Sequence, residues 1–119
     1  MLFRSSGGGT VSTVSSSANE NFRLRDGVLA WTETTSTSKV LKAMTGANTS
    51  TLSSVTSAVL YEVGGGFVLY GEQGKVYKWS STAKTSSLVI DTAPNQVMVK
   101  GSIMYFVMGS GKAVYKLQL

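Results

Sequence analysis

Three near-copies of one phrase constrain this chain more than anything else in it. Gly27-Val28-Leu29-Ala30-Trp31-Thr32-Glu33 returns as Gly66-Phe67-Val68-Leu69-Tyr70-Gly71-Glu72, and more loosely as Ser102-Ile103-Met104-Tyr105-Phe106-Val107-Met108. A second phrase keeps similar time: Lys39-Val40-Leu41-Lys42, then Lys75-Val76-Tyr77-Lys78, then Ala113-Val114-Tyr115-Lys116. A fixed period of roughly 36 to 39 residues is the mark of a repeat architecture, in which each unit is one supersecondary module stacked on its neighbours. The repeats run approximately over residues 9–46, 47–82 and 83–119, within a single domain over 1–119. Met1-Leu2-Phe3-Arg4 fits the end of a preceding unit, so the phase predicts a chain that begins near a fourth strand and stops after a third.

The segments between turns read as strands. They are short, rich in Val, Tyr, Phe and Trp, and bounded by Gly, Asn or Ser. Turns are expected at Arg25-Asp26-Gly27, Gly64-Gly65-Gly66, Gln73-Gly74, Ala93-Pro94-Asn95 and Gly109-Ser110-Gly111, where glycine supplies positive φ and proline fixes its own. Four strands per repeat follow: 9–15, 21–25, 28–34 and 39–44; then 50–54, 59–63, 67–72 and 75–79; then 86–91, 96–100, 103–108 and 113–118. Ile103-Met104-Tyr105-Phe106-Val107-Met108 is apolar on both faces, and such a strand must be covered on both sides.

The fold class is therefore all-β. Repeats of this length with four strands each suit a β-propeller, whose four-stranded blades stack around a channel; a β-trefoil monomer of three repeats is the alternative. The Gly-Val-Leu-Ala-Trp phrase followed by Lys-Val-Leu-Lys resembles the middle hairpin of blades in propellers of the TolB and YVTN type. That resemblance covers most of residues 10–119 as a repeat grammar and singles out no one family. Three blades are fewer than the four to eight that close a propeller, and a three-blade arc leaves two apolar faces bare. The reading is thus a half-propeller that completes a six-bladed ring as a homodimer; a fragment of a longer propeller is the rival. In the ring the strand near residues 9–15 of one copy completes a blade formed by residues 96–118 of the other.

Composition narrows the function classes. There is no histidine and no cysteine, so the usual general base, thiol nucleophile and soft metal ligands are missing, and no catalytic residue, metal site or cofactor is assigned. Glu33 and Glu72 share a repeat position, which puts them on different blades and makes them architectural. Gly109-Ser110-Gly111-Lys112 fails as a phosphate loop because Ala113 stands where Ser or Thr should hold magnesium and no helix follows. The net charge of +5 is spread along the chain without a basic cluster, so nucleic acid is not the expected partner. No apolar run is long enough to span a bilayer and no signal peptide is evident, so the default expectation is a cytoplasmic location with no membrane partner.

What remains is a non-enzymatic binding module for a small polar ligand such as a carbohydrate, or for a protein surface; a scaffold or excised propeller module without a ligand is the alternative, and a hydrolase-like enzyme the third reading. The assembly plan resembles that of small oligomeric sugar-binding propellers such as the fucose-binding lectins, though not their site motif. Loops carry function on rigid scaffolds, and one rim combines Asn19, Glu20 and Asn21 with Asp91 and Asn95. Trp79, beside Lys78 at a strand end, is expected to be partly exposed and able to stack on a sugar. Trp31, Tyr70 and Phe106 share one repeat position and are expected to pack between blades.

Overall fold

The structure is a computed structural model, described here for residues 12–34, 38–109 and 111–119, without the side chains of residues 19–21. Among the described residues, eleven strands form three antiparallel meanders. The first sheet runs β1 (Ala18–Arg25), β2 (Val28–Thr34), β3 (Lys39–Thr45) and β4 (Asn48–Ser53) in that order. The second runs β5 (Val59–Gly64), β6 (Phe67–Glu72), β7 (Lys75–Ser80) and β8 (Ser86–Ile90). The third holds β9 (Gln96–Lys100), β10 (Ile103–Val107) and β11 (Tyr115–Gln118). The described residues contain no helix.

Turn chemistry sets these hairpins. Asp26 and Gly27 both take positive φ (49° and 81°) between the paired residues Arg25 and Val28, as do Gln73 and Gly74 (51° and 77°) between Glu72 and Lys75. Two successive left-handed residues make the turn whose twist matches that of the flanking strands, which is why glycine takes the second place.

The second sheet is sandwiched between the other two. Toward the first sheet its Val63, Val68, Tyr70 and Trp79 join Val28, Ala30, Leu41 and Ala43, with Ala58 from the β4–β5 connection, in one buried cluster. Its opposite face puts Leu69 and Val76 against Met104, with Val97, Val99 and Phe106 packed around them. The first phrase of the repeat explains this alternation. Val28 and Ala30 face forward onto the next sheet, as Leu69 does, whereas Val68 and Tyr70 face back, as Met104 does. Runs apolar on both faces are the physical requirement of a middle sheet. The sheets approach most closely along their first strands: β5 meets β1 and β2 on one side and β9 on the other. Arg23 pairs with Glu62 at 3.6 Å across the first gap, and Lys84 Nζ donates to Thr45 Oγ1 at 2.6 Å farther out.

Several expectations need correction. Residues 50–54 and 86–91 were expected to open the second and third repeats. They instead lie in β4 and β8, which pair with β3 and β7 and so close the preceding sheets. Of the expected strand 9–15, residues 9–11 lie outside the described residues, and residues 12–15 pair with no strand. Residues 1–4 are likewise outside them.

The second phrase also misleads by one residue. Val40 pairs with Glu33, but Val76 pairs with Gly71, so the matching letters point to opposite faces. Leu41 is the true counterpart of Val76; both are fully buried. The β2–β3 connection is longer than the two-residue β6–β7 turn, and a slip of one residue exchanges every side chain between faces.

Trp79 is the other correction. It is buried to 3% exposure in the cluster between the first two sheets, with Lys84 Nζ over its ring at 5.3 Å. Its pairing with Val68 turns it onto the same inward face, which a strand-end position could not reveal.

Candidate functional site

The turns joining the first and second strands of each sheet gather at one end of the molecule. They enclose a cleft of about 330 Å³ lined by Arg25, Asp26, Gly64, Gly65, Lys78 and Gly101, with Phe67, Val99 and Ser102 completing the wall. Each turn occupies the same repeat position, so three sheets present the same kind of loop to one space. Close packing explains the local sequence. A Cβ on Gly64 would lie 2.1 Å from the Phe67 ring, so only glycine lets that ring lie over the strand end. A Cβ on Gly65 would stand 3.2 Å from the Asp26 carboxylate, which leans across from the neighbouring sheet. Lys78 Nζ sits 5.3 Å from the centre of the Phe67 ring, held by cation–π attraction while its charge stays at the cleft. The cleft thus offers two cations, one carboxylate and bare glycine backbone. That set can hold hydroxyl and carboxylate groups by hydrogen bonds.

The rim expected from sequence lies at the opposite ends of the strands. The pairs Ala18–Glu33, Val59–Gly71 and Gln96–Val107 place the starts of β1, β5 and β9 there. Asn19, Glu20 and Asn21 lie in β1 at that end, and their side chains are outside the description. Asp91 accepts a long 3.5 Å hydrogen bond from Thr92 Oγ1. Asn95 is engaged in its own turn, its backbone N–H donating to the Val107 carbonyl at 2.8 Å and its Nδ2 to the Gly109 carbonyl. Trp79 belongs to neither rim, since it is buried. The loop residues 35–37 and Ser110 are outside the described residues.

A second polar centre lies on the outer face of the first sheet. The Glu33 carboxylate accepts from Trp31 Nε1 at 2.8 Å and from Ser15 Oγ at 2.7 Å, and faces Lys42 Nζ at 3.1 Å. The indole and hydroxyl bonds, aided by the Lys42 ammonium, hold its pKa down to about 2 against the cost of burial. Glu33 therefore ties the segment before β1 onto Trp31, consistent with an architectural role. Tyr70 and Tyr61 have their hydroxyl pKa values raised by burial; Tyr70 donates to Ser86 Oγ at 2.8 Å. Trp31 and Tyr70 are buried and Phe106 is half-buried between the second and third sheets.

Among the described residues no cluster of three His, Cys, Asp or Glu side chains could hold a metal ion, and no helix is long and apolar enough to cross a membrane. Compared with known proteins, the chain matches no protein-family model, no curated sequence and no solved structure. Its class accordingly rests on its own architecture, an all-β protein of three stacked antiparallel sheets.

The cleft was hidden in the sequence only in part. Arg25-Asp26-Gly27 and Gly64-Gly65-Gly66 are recognisable as turns, and their equal repeat positions were the available signal that they share one end. Nothing local shows that Lys78, from a third strand, reaches the same space.

Proposed function

We propose that the chain is a non-enzymatic binding module built from propeller blades, which holds a small polar ligand in the turn cleft. The observation that carries this reading is the convergence of three equivalent turns with Arg25, Asp26 and Lys78 around one cleft of about 330 Å³. Pockets for small ligands combine a concave wall with a few fixed polar groups, and this one has a Phe67 wall and charges of both signs. Carbohydrates match that set, and the two cations favour sugars that carry a carboxylate. Meander sheets stacked face to face, closest along their first strands, support the blade reading.

A glycan array with neutral and acidic sugars, followed by amide chemical-shift mapping, tests this. Shifts clustered at Arg25, Gly64, Gly65 and Gly101 are expected for an acidic sugar. Absence of any sugar that moves those amides at millimolar concentration sinks the carbohydrate reading. Shifts confined to the opposite rim would move the site there. A scaffold without ligand is the second reading, favoured by the exposed apolar faces at both ends of the stack.

A further inference from the structure

The two outer faces of the stack are the two halves of an interface the molecule already contains twice, and we infer that each is covered by the other face of a second copy. This rests on the blade reading above but not on the turn cleft. Positions that are buried in the internal interfaces come to the surface at the ends. Tyr105 matches Ala30 and Leu69, both fully buried, yet it is 36% exposed. Val114 lies one step beyond the Phe106–Tyr115 pair, where the other sheets have Leu41 and Val76, both fully buried; Val114 is 69% exposed. Leu24 pairs with Leu29 as Val63 pairs with Val68; Val63 is 1% exposed and Leu24 65%.

Direction makes the two bare faces complementary. Tyr105 occupies a forward-facing position of the repeat, and the exposed Phe22 and Leu24, paired with Trp31 and Leu29, occupy backward-facing ones. Inside the molecule every forward face meets a backward face. The forward face of the third sheet is therefore shaped for the backward face of a first sheet. Even its lysine has a precedent: Lys116 pairs with Tyr105 as Lys78 pairs with Leu69, and Lys78 is accommodated beside Phe67.

The segment before β1 supplies an independent observation. Ser15 Oγ accepts from the Ser17 N–H at 3.3 Å, and Ser53 Oγ accepts from the Val55 N–H at 3.3 Å. Ser15 thus repeats the end of β4, and Val14 stands where Leu52 packs against the next sheet. The residues ending at Ser15 share this hydrogen-bonded turn with the end of β4, and they lie before the first sheet. The third sheet has three strands, and the outer edge of β11 is unpaired among the described residues. A second copy brings that edge beside the segment. Two copies related by a twofold axis satisfy both faces of both chains at once, which leaves no apolar end exposed.

The test is the mass of the full chain in solution at about 10 µM, with Val114→Asp and Leu24→Asp as variants. The wild type is expected at about 25 kDa, twice the 12.6 kDa protomer. Each variant alters a side chain exposed within the protomer. Each is expected to keep the far-ultraviolet circular dichroism and run at the protomer mass, with dissociation constants raised at least ~100-fold. Mixing the two variants restores one intact contact and part of the dimer. A wild-type monomer overturns the inference, and so does a ladder of higher masses, because the faces then fail to close on two copies. Dissociation by V114D but not by L24D overturns it too, since the third sheets would then be meeting each other. If either variant unfolds, hydrogen exchange of the wild type decides: protection of Lys116 and Gln118 amides must rise with concentration, and exchange independent of concentration refutes the pairing. None of these results depends on sugar binding.

Discussion

Replacing Glu33 by glutamine should remove most of one pH-dependent contribution to stability while leaving the fold in place. Trp31 Nε1, Ser15 Oγ and Lys42 Nζ all favour the ionised carboxylate, lowering its pKa from 4.5 to about 2. The unfolded chain therefore takes up this proton first as pH falls. The carboxylate's stabilisation is fully present above about pH 5.5 and is lost as the pH drops through the interval between 4.5 and 2. A shift of this size sets an upper bound of about 3 kcal/mol, and solvent reaching the partly buried carboxylate screens a share of it. Glutamine keeps the length and one acceptor but neither the charge-assisted bonds nor the Lys42 pair, so Glu33→Gln should cost about 1–2 kcal/mol at pH 7. Near pH 2 the cost should shrink below about 1 kcal/mol, because the wild-type group is by then half protonated. Urea unfolding followed by tryptophan fluorescence at steps from pH 7 to pH 2 reads both curves. Stability profiles that stay parallel over that range would refute the reasoning, since the difference between the two proteins would then not come from the carboxylate's charge.

Other expectations follow from the packing and the cleft. Leu69→Ala, at a fully buried position between the second and third sheets, should lower unfolding stability by about 2–5 kcal/mol in urea titrations. Gly64→Ala places a methyl against the Phe67 ring and should cost about 1–3 kcal/mol, with relief in the Gly64→Ala/Phe67→Leu double variant as the check. Both tryptophans are 3% exposed, so iodide should quench the native fluorescence weakly; strong quenching that disappears in Trp79→Phe would contradict the burial of Trp79. Arg25→Ala and Lys78→Ala should each weaken binding of a carboxylated sugar about tenfold or more by titration calorimetry, with neutral sugars affected less.

Much of the architecture was legible in the chain. The phrase beginning at Gly27, Gly66 and Ser102 identified the second strand of every sheet, because a strand in a sheet covered on both sides is apolar on both faces. Turns such as Asp26-Gly27 and Gln73-Gly74 were equally visible, since their backbone demands residues that accept positive φ. The face of a residue was less legible. Lys39-Val40-Leu41-Lys42 and Lys75-Val76-Tyr77-Lys78 agree in letters and differ in register, because loop length between paired strands decides which side chains share a face. Trp79 illustrates the same limit, as its neighbours in sequence are polar and its neighbours in space are apolar.

The sequence by itself therefore determined the period, the all-β class and the turns, each a consequence of local backbone preference and alternation. Only the tertiary structure decided which strand belongs to which sheet, because hydrogen-bond partners are fixed by pairing and not by order in the repeat. It alone brought Lys78 beside Arg25 and Asp26, since that meeting depends on how three sheets stack. It also separated buried from bare among equivalent residues. Val76 and Val114 occupy the same place in the repeat, and only the presence of a neighbouring sheet makes one core and the other surface.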